Sequence, residues 1–436
     1  MVSAQNFIYA MYFVPMALIW VLYLLWHSKR QKANVVSLEN AVNAGLTEPP
    51  SLHPLVDVSR CIGCGACAYA CPEHDVLGII DGKVQLINPT HCIGHGACKT
   101  ACPEDAISLV FGTEKRGVDI PMVAEDFETN VPGLFIAGEL GGMGLIRNAV
   151  EQGKQAMASI GKLDGLGVKG RLDVVIVGAG PAGIAASLAA MQKNFRFVTV
   201  EQDSLGGTVA HFPRGKIVMT APMQLPLVGK VKVTETTKEE LLAIWQAAEK
   251  QTGLQINYHE RVDEIVRKGE AFEVKTSRGV YNTRAVLLAI GRRGTPRKLG
   301  VSGEDLPKVV YRLIDPEQYH HQRVLVVGGG DSALEAATSI SALGTADVTL
   351  SYRSEAFSRA KEKNRQKVID EEISGRLRVL MKSQVTKVSD QSVRLKHKDH
   401  EFELDNDAVI VCVGGILPTP FLKKIGIDVE TKYGTA

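Results

Sequence analysis

Apolar and polar positions divide the chain into regions of different character. From Phe7 to Trp26 (FIYAMYFVPMALIWVLYLLW) twenty residues run without a charge, about the length that crosses a bilayer core. The pattern predicts a membrane-spanning helix over residues 1–32. Tyr9, Tyr12, Trp20, Tyr23 and Trp26 punctuate it, and the outer ones suit the two interfaces. Pro15 is tolerable inside such a helix. The stretch ends in His27-Ser28-Lys29-Arg30-Gln31-Lys32, with no basic residue before it. The positive-inside rule then leaves all that follows in the cytoplasm, giving a single-pass protein of the cell inner membrane. A cleaved signal peptide would need a basic start, a shorter apolar core and a small-residue cleavage site; a buried soluble helix is the other reading. Residues 33–52 read as a linker or short amphipathic helix, closed off by Pro49-Pro50.

Further along, short apolar runs alternate with glycine-rich turns and helical patterns. Leu172–Val177 (LDVVIV) leads into Gly178-Ala179-Gly180-Pro181-Ala182-Gly183, a helical stretch (IAASLAAMQKN), and a second β-rich run ending in Glu201. This strand–turn–helix–strand context is what a dinucleotide fingerprint requires. Glycines permit the tight turn and close approach of a pyrophosphate, the helix N-terminus faces the phosphates, and Glu201 accepts from ribose hydroxyls. The pattern recurs: Arg323–Val327 precedes Gly328-Gly329-Gly330-Asp331-Ser332-Ala333, a helix and a strand ending in Tyr352 and Arg353, with Arg359 a little beyond. Bases in place of the acid suit a 2′-phosphate, so the second site favours NADP over NAD. The fold class is therefore α/β with two Rossmann-like domains. The stretch ETTKEELLAIWQAAEKQTG reads as an amphipathic surface helix.

At 436 residues the chain has room for two or three domains. A net charge of +2 with 22% charged residues offers no polyelectrolyte face, which argues against a nucleic-acid partner. Seven of the eight cysteines fall in one short stretch. They form Cys61-x-x-Cys64-x-x-Cys67-x-x-x-Cys71-Pro72 and Cys92-x-x-His95-x-x-Cys98-x-x-x-Cys102-Pro103, a doubled run that fits neither zinc nor disulfide spacing. It resembles the dicluster ferredoxins, in a domain covering 53–111. The resemblance implies two iron–sulfur clusters of [4Fe-4S] type, each borrowing its fourth thiolate from the other run. One cluster would use Cys61, Cys64, Cys67 and Cys102; the other Cys92, Cys98, Cys71 and His95. Three readings stand for His95: an iron ligand that raises the potential, a neighbour of a three-iron [3Fe-4S] cluster, or a loop histidine without a role.

The two nucleotide folds, with the runs VLLAIGRRGTP ending at Pro296 and AVIVCVGGILPTP at 408–420, resemble the thioredoxin-reductase-like flavoproteins. The resemblance implies FAD in the first fold, with Gly206, Gly207 and Thr208 along the flavin, and the nicotinamide in the second. That family closes its FAD site with a C-terminal T-x-V-P-G-L-F-x-A-G-D strand and a helix. Here the element stands far ahead of the first fingerprint, as Thr129 to Gly138 and Glu139 followed by the helical stretch 145–160. The flavoprotein thus reads as circularly permuted: 117–161 is the closing FAD element, 171–296 the first part of the FAD domain, 297–415 the NAD(P) domain and 416–436 a return to the FAD domain. The chain end is then expected beside residues 117–121; completion of the FAD site of a second subunit, in a homodimer, is the rival arrangement. No redox-active C-x-x-C lies in the second fold, and Ala182 stands where bacillithiol-disulfide reductases carry a cysteine. Cys412, in an apolar run, reads as a core thiol. The implied activity is a membrane-anchored NAD(P)H:acceptor oxidoreductase. Electrons would pass from NAD(P)H to FAD, to the clusters and to a protein or membrane partner, or in reverse. A disulfide reductase using a partner's cysteines and a redox sensor without turnover are the alternatives.

Overall fold

The computed structural model describes residues 4–434 apart from 44–45, 50–51, 74, 93, 115–116, 143–144, 221, 234, 293, 359 and 399. The chain divides into two compact units, Met1–Glu114 with Gly434–Ala436, and Lys115–Tyr433.

The first unit begins with helix α1 (Ala4–Asn43), which contains Pro15. Of the two readings for 33–52, linker or short amphipathic helix, the helical one holds as far as Asn43, as a continuation of α1 and not as a separate helix. The physical reason is that no glycine or proline interrupts residues 16–43, so nothing breaks the backbone ladder before Gly45 and the Pro49-Pro50 pair. The apolar residues from Met11 to Trp26 are exposed around the whole helix. Beyond them a stripe of helical period, His27, Gln31, Asn34, Leu38 and Ala41, turns partly or fully inward. The ferredoxin-like body comprises β1 (His53–Val56), α2 (Ala66–Ala70), β2 (Leu77–Ile80), β3 (Lys83–Leu86), α3 (Ala97–Thr100) and β4 (Ile107–Val110). β1 pairs antiparallel with β4. β2 and β3 form a hairpin whose Asp81-Gly82 turn has positive φ at both residues, as a two-residue hairpin demands. Val76, Leu77, Val84, Ala106 and Ile107 make a small core into which Cys61, Cys67, Cys71, Cys92 and Cys98 are packed.

The second unit is built on two large sheets, with smaller two- and three-stranded sheets around them. β5 (Val118–Pro121) lies outside both; in the first, β6 (Leu134–Ile136), β7 (Leu172–Val177) and β8 (Phe197–Val200) are joined by β9 (Val262–Lys268), β10 (Ala271–Thr276) and β11 (Val280–Leu288). β7 lies between β8 and β11, parallel to both. β11 changes partner along its length: its first residues pair antiparallel with β10, and Val286–Leu288 pair parallel with β6. Helix α4 (Ile146–Ile160) packs on α5 (Pro181–Gln192). Their approach is so close that a Cβ on Gly153 would run into the Ala182 carbonyl. Helix α6 (Lys238–Thr252) carries a capping box from Thr237 and Glu240 and buries Leu241, Trp245 and Ala248. The second sheet is wholly parallel, in the order β12 (Val309–Val310), β16 (Ala408–Val411), β13 (Arg323–Val327), β14 (Asp347–Tyr352) and β15 (Leu377–Met381), with α7 (Asp331–Ser341) after β13. Its strands read as continuous apolar runs because such a sheet is covered on both faces. The closing strand β17 (Val429–Lys432) pairs antiparallel with β5, Val118 opposite Lys432 and Pro121 opposite Val429.

Candidate cofactor sites

Four cysteines of the first unit, Cys61, Cys64, Cys67 and Cys102, line one small cavity together with Val84 and Ile107. Cys61 and Cys64 come from the loop entering α2, Cys67 from the first turn of that helix, and Cys102 arrives from the end of the second run. The backbone N–H of Ala106 donates to the Cys102 sulfur at 3.3 Å, fixing its direction. Among the described residues no three His, Cys, Asp or Glu side chains converge as the ligands of a single metal ion do. Thiols that ring a cavity instead leave room for a cluster with metal at its corners. Cys71, Cys92 and Cys98 form a second group, near enough to act on one another's charge. The ring of His95 joins it, with Nε2 4.0 Å from the Cys71 sulfur. Burial pushes the Cys67 thiol up to about 11, helped by Cys102 and Cys64. Burial also raises Cys71, Cys92 and Cys98. Iron must therefore displace protons to bind, which ties loading to pH.

In the second unit the first glycine motif sits between β7 and α5. A Cβ on Gly178 would stand 2.5 Å from the Ala289 oxygen, and one on Gly183 would collide with the Gly178 carbonyl. These contacts demand glycine, the third one so that helix and strand can touch. Gly180 faces open space toward Gly207. As the N-cap residue of α5 it offers no capping side chain, and Pro181 follows it, so the positive helix end is left for a phosphate. The Gly206-Gly207-Thr208 loop closes over this spot: Gly206 N–H donates to the Ala179 carbonyl at 2.9 Å. Ala182, expected in the motif, is buried and lies against Gly138 of the preceding segment. Glu201 is buried, and its two oxygens accept from Ala179 N–H at 2.7 Å and Asp203 N–H at 2.9 Å. It thus braces the glycine loop at the end of the second strand. Gly291 lies between Glu139 and Thr208, a Cβ there being 3.8 Å from an oxygen of each. Burial pushes the Glu139 carboxyl up, against the pull of the Arg292 charge.

The second motif repeats the geometry with different ends. Gly330 is the N-cap of α7, again without a capping side chain. Asp331 Oδ1 accepts from Lys361 N–H at 2.8 Å and Asn364 Nδ2 at 2.7 Å, tying the following loop to the helix start. Ser332 is exposed and Ala333 buried. A Cβ on Gly328 would collide with the Cys412 carbonyl, and one on Gly329 with the Tyr352 ring, which stacks on Phe357 at 5.4 Å. Arg353 follows β14, exposed and without an anionic partner among the described residues. Arg359 lies outside the described residues.

A family model described as pyridine nucleotide-disulphide oxidoreductase matches residues 175–435, and one described as a 4Fe-4S dicluster domain matches 53–103. The chain belongs to the pyridine nucleotide-disulphide oxidoreductase family. Like other members it is a flavin oxidoreductase, here joined to an iron–sulfur domain. It is similar to the ferredoxin–NADP reductase of Thermus thermophilus, 32% identical over 59% of this chain and 77% of that one. The ferredoxin–NADP reductase of Ignicoccus hospitalis is 28% identical over 60% and 83%. The bacillithiol disulfide reductase of Staphylococcus aureus shares the fold, with TM-score 0.54 and 23% identity over 60% and 81% of the two chains.

Two residues escaped the sequence reading of this oxidoreductase. Arg292 pairs electrostatically with Glu139 and donates to the Asp119 carbonyl at 3.1 Å. His211 ends the Gly207 loop; its Nε2 lies 3.2 Å from Asp203, while its buried Nδ1 has no hydrogen-bond partner among the described residues. A basic residue directly after Ala289-Ile290-Gly291 was the available signal for the first; nothing in the sequence marked the second. A buried ring nitrogen without a partner beside the glycine loops fits a site shaped for a polar cofactor.

Proposed function

We propose that this enzyme carries electrons between NADPH and a membrane-bound redox partner, through FAD and two iron–sulfur clusters. The carrying observation is the distribution of thiols: seven cysteines belong to the two iron–sulfur sites. Outside that domain the chain has only Cys412, beside the second glycine motif. A disulfide-reducing member needs a thiol at the flavin, and this chain offers Ala182 there. The relatives named for ferredoxin point the same way, since a ferredoxin-like module is part of this chain.

FAD held by these residues would supply the exchange between a hydride's two electrons and the single electrons that clusters carry. The chain's own residues do the positioning. Gly178, Gly180, Pro181 and Gly183 offer the α5 N-terminus to the pyrophosphate, with Glu201 at the ribose. Gly206, Gly207, Thr208, Gly138 and Glu139 enclose the flavin end. Gly328, Gly330, Asp331 and Ser332 receive the nicotinamide dinucleotide, with Arg353 against a 2′-phosphate. Cys61, Cys64, Cys67 and Cys102 hold one cluster, and Cys71, Cys92, Cys98 and His95 the other. The reverse flow uses the same groups.

We read residues 117–161 as the family's closing FAD element moved to the front of the flavoprotein. Its support is threefold: β6 lies in the sheet beside β11 of the same chain, α4 lies on α5, and β5 pairs with the closing strand β17. No second subunit is needed to bring Gly138 to Ala182. The apolar half of α1 anchors the molecule in the inner membrane with its catalytic part in the cytoplasm.

Anaerobic stopped-flow mixing with NADPH tests the main reading. Flavin bleaching should precede cluster reduction, seen optically and by EPR. A flavin that bleaches while both clusters stay oxidised would sink the proposed path.

A further inference from the structure

Helix α1 does not end where its apolar stretch ends. One turn past Trp26 it begins to pack against the iron–sulfur body of the same unit, and the contact falls on one place. Gln31 Nε2 donates to Asp81 Oδ1 at 2.8 Å, and Asn34 Nδ2 to the Ile79 carbonyl at 3.0 Å. Both acceptors belong to the β2–β3 hairpin. The other side of that hairpin is the loop of the first cysteine run. A Cβ on Gly63 would collide with the Gly82 carbonyl, and Lys83 Nζ donates to the Cys61 carbonyl at 2.5 Å. The turn Asp81-Gly82-Lys83 is thus held by the helix on one side and by the cluster loop on the other.

A helix rises about 1.5 Å per residue, so Gln31 stands about 7.5 Å beyond Trp26, the last residue of the uncharged stretch. The second cysteine run is tied elsewhere. Gly94 lies against the Leu52 carbonyl at 2.6 Å from its Cβ position, and Cys92 points at the same carbonyl at 3.7 Å. Leu52 follows the far end of α1, about 25 Å beyond Trp26 at Asn43. The rim of the first site is open: Cys64 is exposed, Ile62 is 63% exposed and Tyr69 90%.

We infer that the Cys61–Cys64–Cys67–Cys102 site is held at the bilayer surface, and that Ile62, Cys64 and Tyr69 form the face on which a redox protein embedded in that membrane exchanges electrons with the chain. The inference rests on the membrane reading of α1. Each exchange moves one electron between the cluster's iron and the partner's metal centre, with no proton or atom transferred; two exchanges balance one hydride. A single spanning helix forms no cleft for a quinone head group, and the site works one electron at a time, so the partner is a protein.

The iron-loaded full chain, placed in phosphatidylcholine–phosphatidylglycerol nanodiscs doped with a dysprosium-chelating lipid, tests the position. EPR relaxation of the first cluster, identified by its loss in Cys102→Ser, should be enhanced several-fold more than that of the second. Four residues inserted after Ser28 should reduce the difference. Equal enhancement, or a larger one for the second cluster, overturns the inference. Failure of the protein to enter nanodiscs overturns the membrane reading instead. For the face, NADPH oxidation with native membrane vesicles is compared with NADPH-driven reduction of soluble ferricyanide. In Tyr69→Glu and Ile62→Glu the ratio of the two rates should fall at least tenfold. An unchanged ratio, or equal rates with protein-free liposomes containing menaquinone, overturns it.

Discussion

In the first glycine-rich fold the second strand runs into Glu201, buried and hydrogen-bonded back to the loop it follows. In the second fold the equivalent strand runs into Tyr352, laid over Gly329, and Arg353, exposed and free of an anionic partner among the described residues. The third motif position differs too: Gly183 meets the Gly178 carbonyl directly, whereas Ala333 is accommodated with its Cβ near the Gly328 position. The first fold is closed and exacting, as suits a cofactor that stays. The second is looser and basic, as suits a nucleotide that comes and goes. One motif serves both because the backbone supplies the phosphate site, while the side chain at the end of the second strand chooses the ribose.

Substitutions at the third motif position should separate the folds most strongly. Gly183→Ala forces helix and strand apart, with a cost at the upper end of the roughly 1–3 kcal/mol of overpacking, and should yield protein purified without flavin. Ala333→Gly should keep its flavin and lose only about 1 kcal/mol in thermal unfolding. Equal flavin content in the two variants would break the contrast. The next effect belongs to Arg353. Its replacement by alanine removes a charge-assisted hydrogen bond worth about 1.5–3 kcal/mol, so kcat/KM for NADPH should fall roughly 10- to 100-fold with little change for NADH. Equal losses would deny the 2′-phosphate role. Smaller still, Glu201→Gln sets an amide donor against a backbone donor, at about 1–3 kcal/mol shared with local relaxation. FAD affinity measured by fluorescence titration should weaken, while nicotinamide affinity holds.

The smallest effect is acid sensitivity. Each sheet is pinned at a strand start by an Asp–Arg pair. Hydrogen bonds from Arg323 hold Asp407 down to about 2. Burial raises Asp173, but Arg196 and the Gly167 N–H outweigh it and hold it below its usual value. Both folded values lie under the unfolded one, so the stabilisation is complete above about pH 4. It is lost as pH falls toward the folded values. Melting temperatures from pH 7 to pH 3 should decline, and Asp407→Asn should flatten the part of that decline due to the second sheet. An unchanged profile would remove the pair from the account.

Much of this was legible because local chemistry fixes it. Strand, glycine turn and helix follow one another over some thirty residues, so their identity needs no distant contact, and β7, α5, β13 and α7 fall where apolar runs and glycines placed them. For 33–52 the sequence left a linker and a short amphipathic helix both open, and the choice fell to the helix because one face packs on the β2–β3 hairpin, a contact made across some 45 residues. Arg292 was marked only by its place after Ala289-Ile290-Gly291 and His211 by nothing local, since their roles depend on Glu139 and Asp203 lying beside them. By itself, then, the sequence determined the element types, the family and the chemistry of the cysteines, because each depends on neighbours along the chain. Only the tertiary structure decided that β6 pairs with β11 in register Leu134–Ile136 against Val286–Leu288, and that α1 grips the hairpin behind the first cysteine loop. These are meetings between distant residues, and packing alone brings them about.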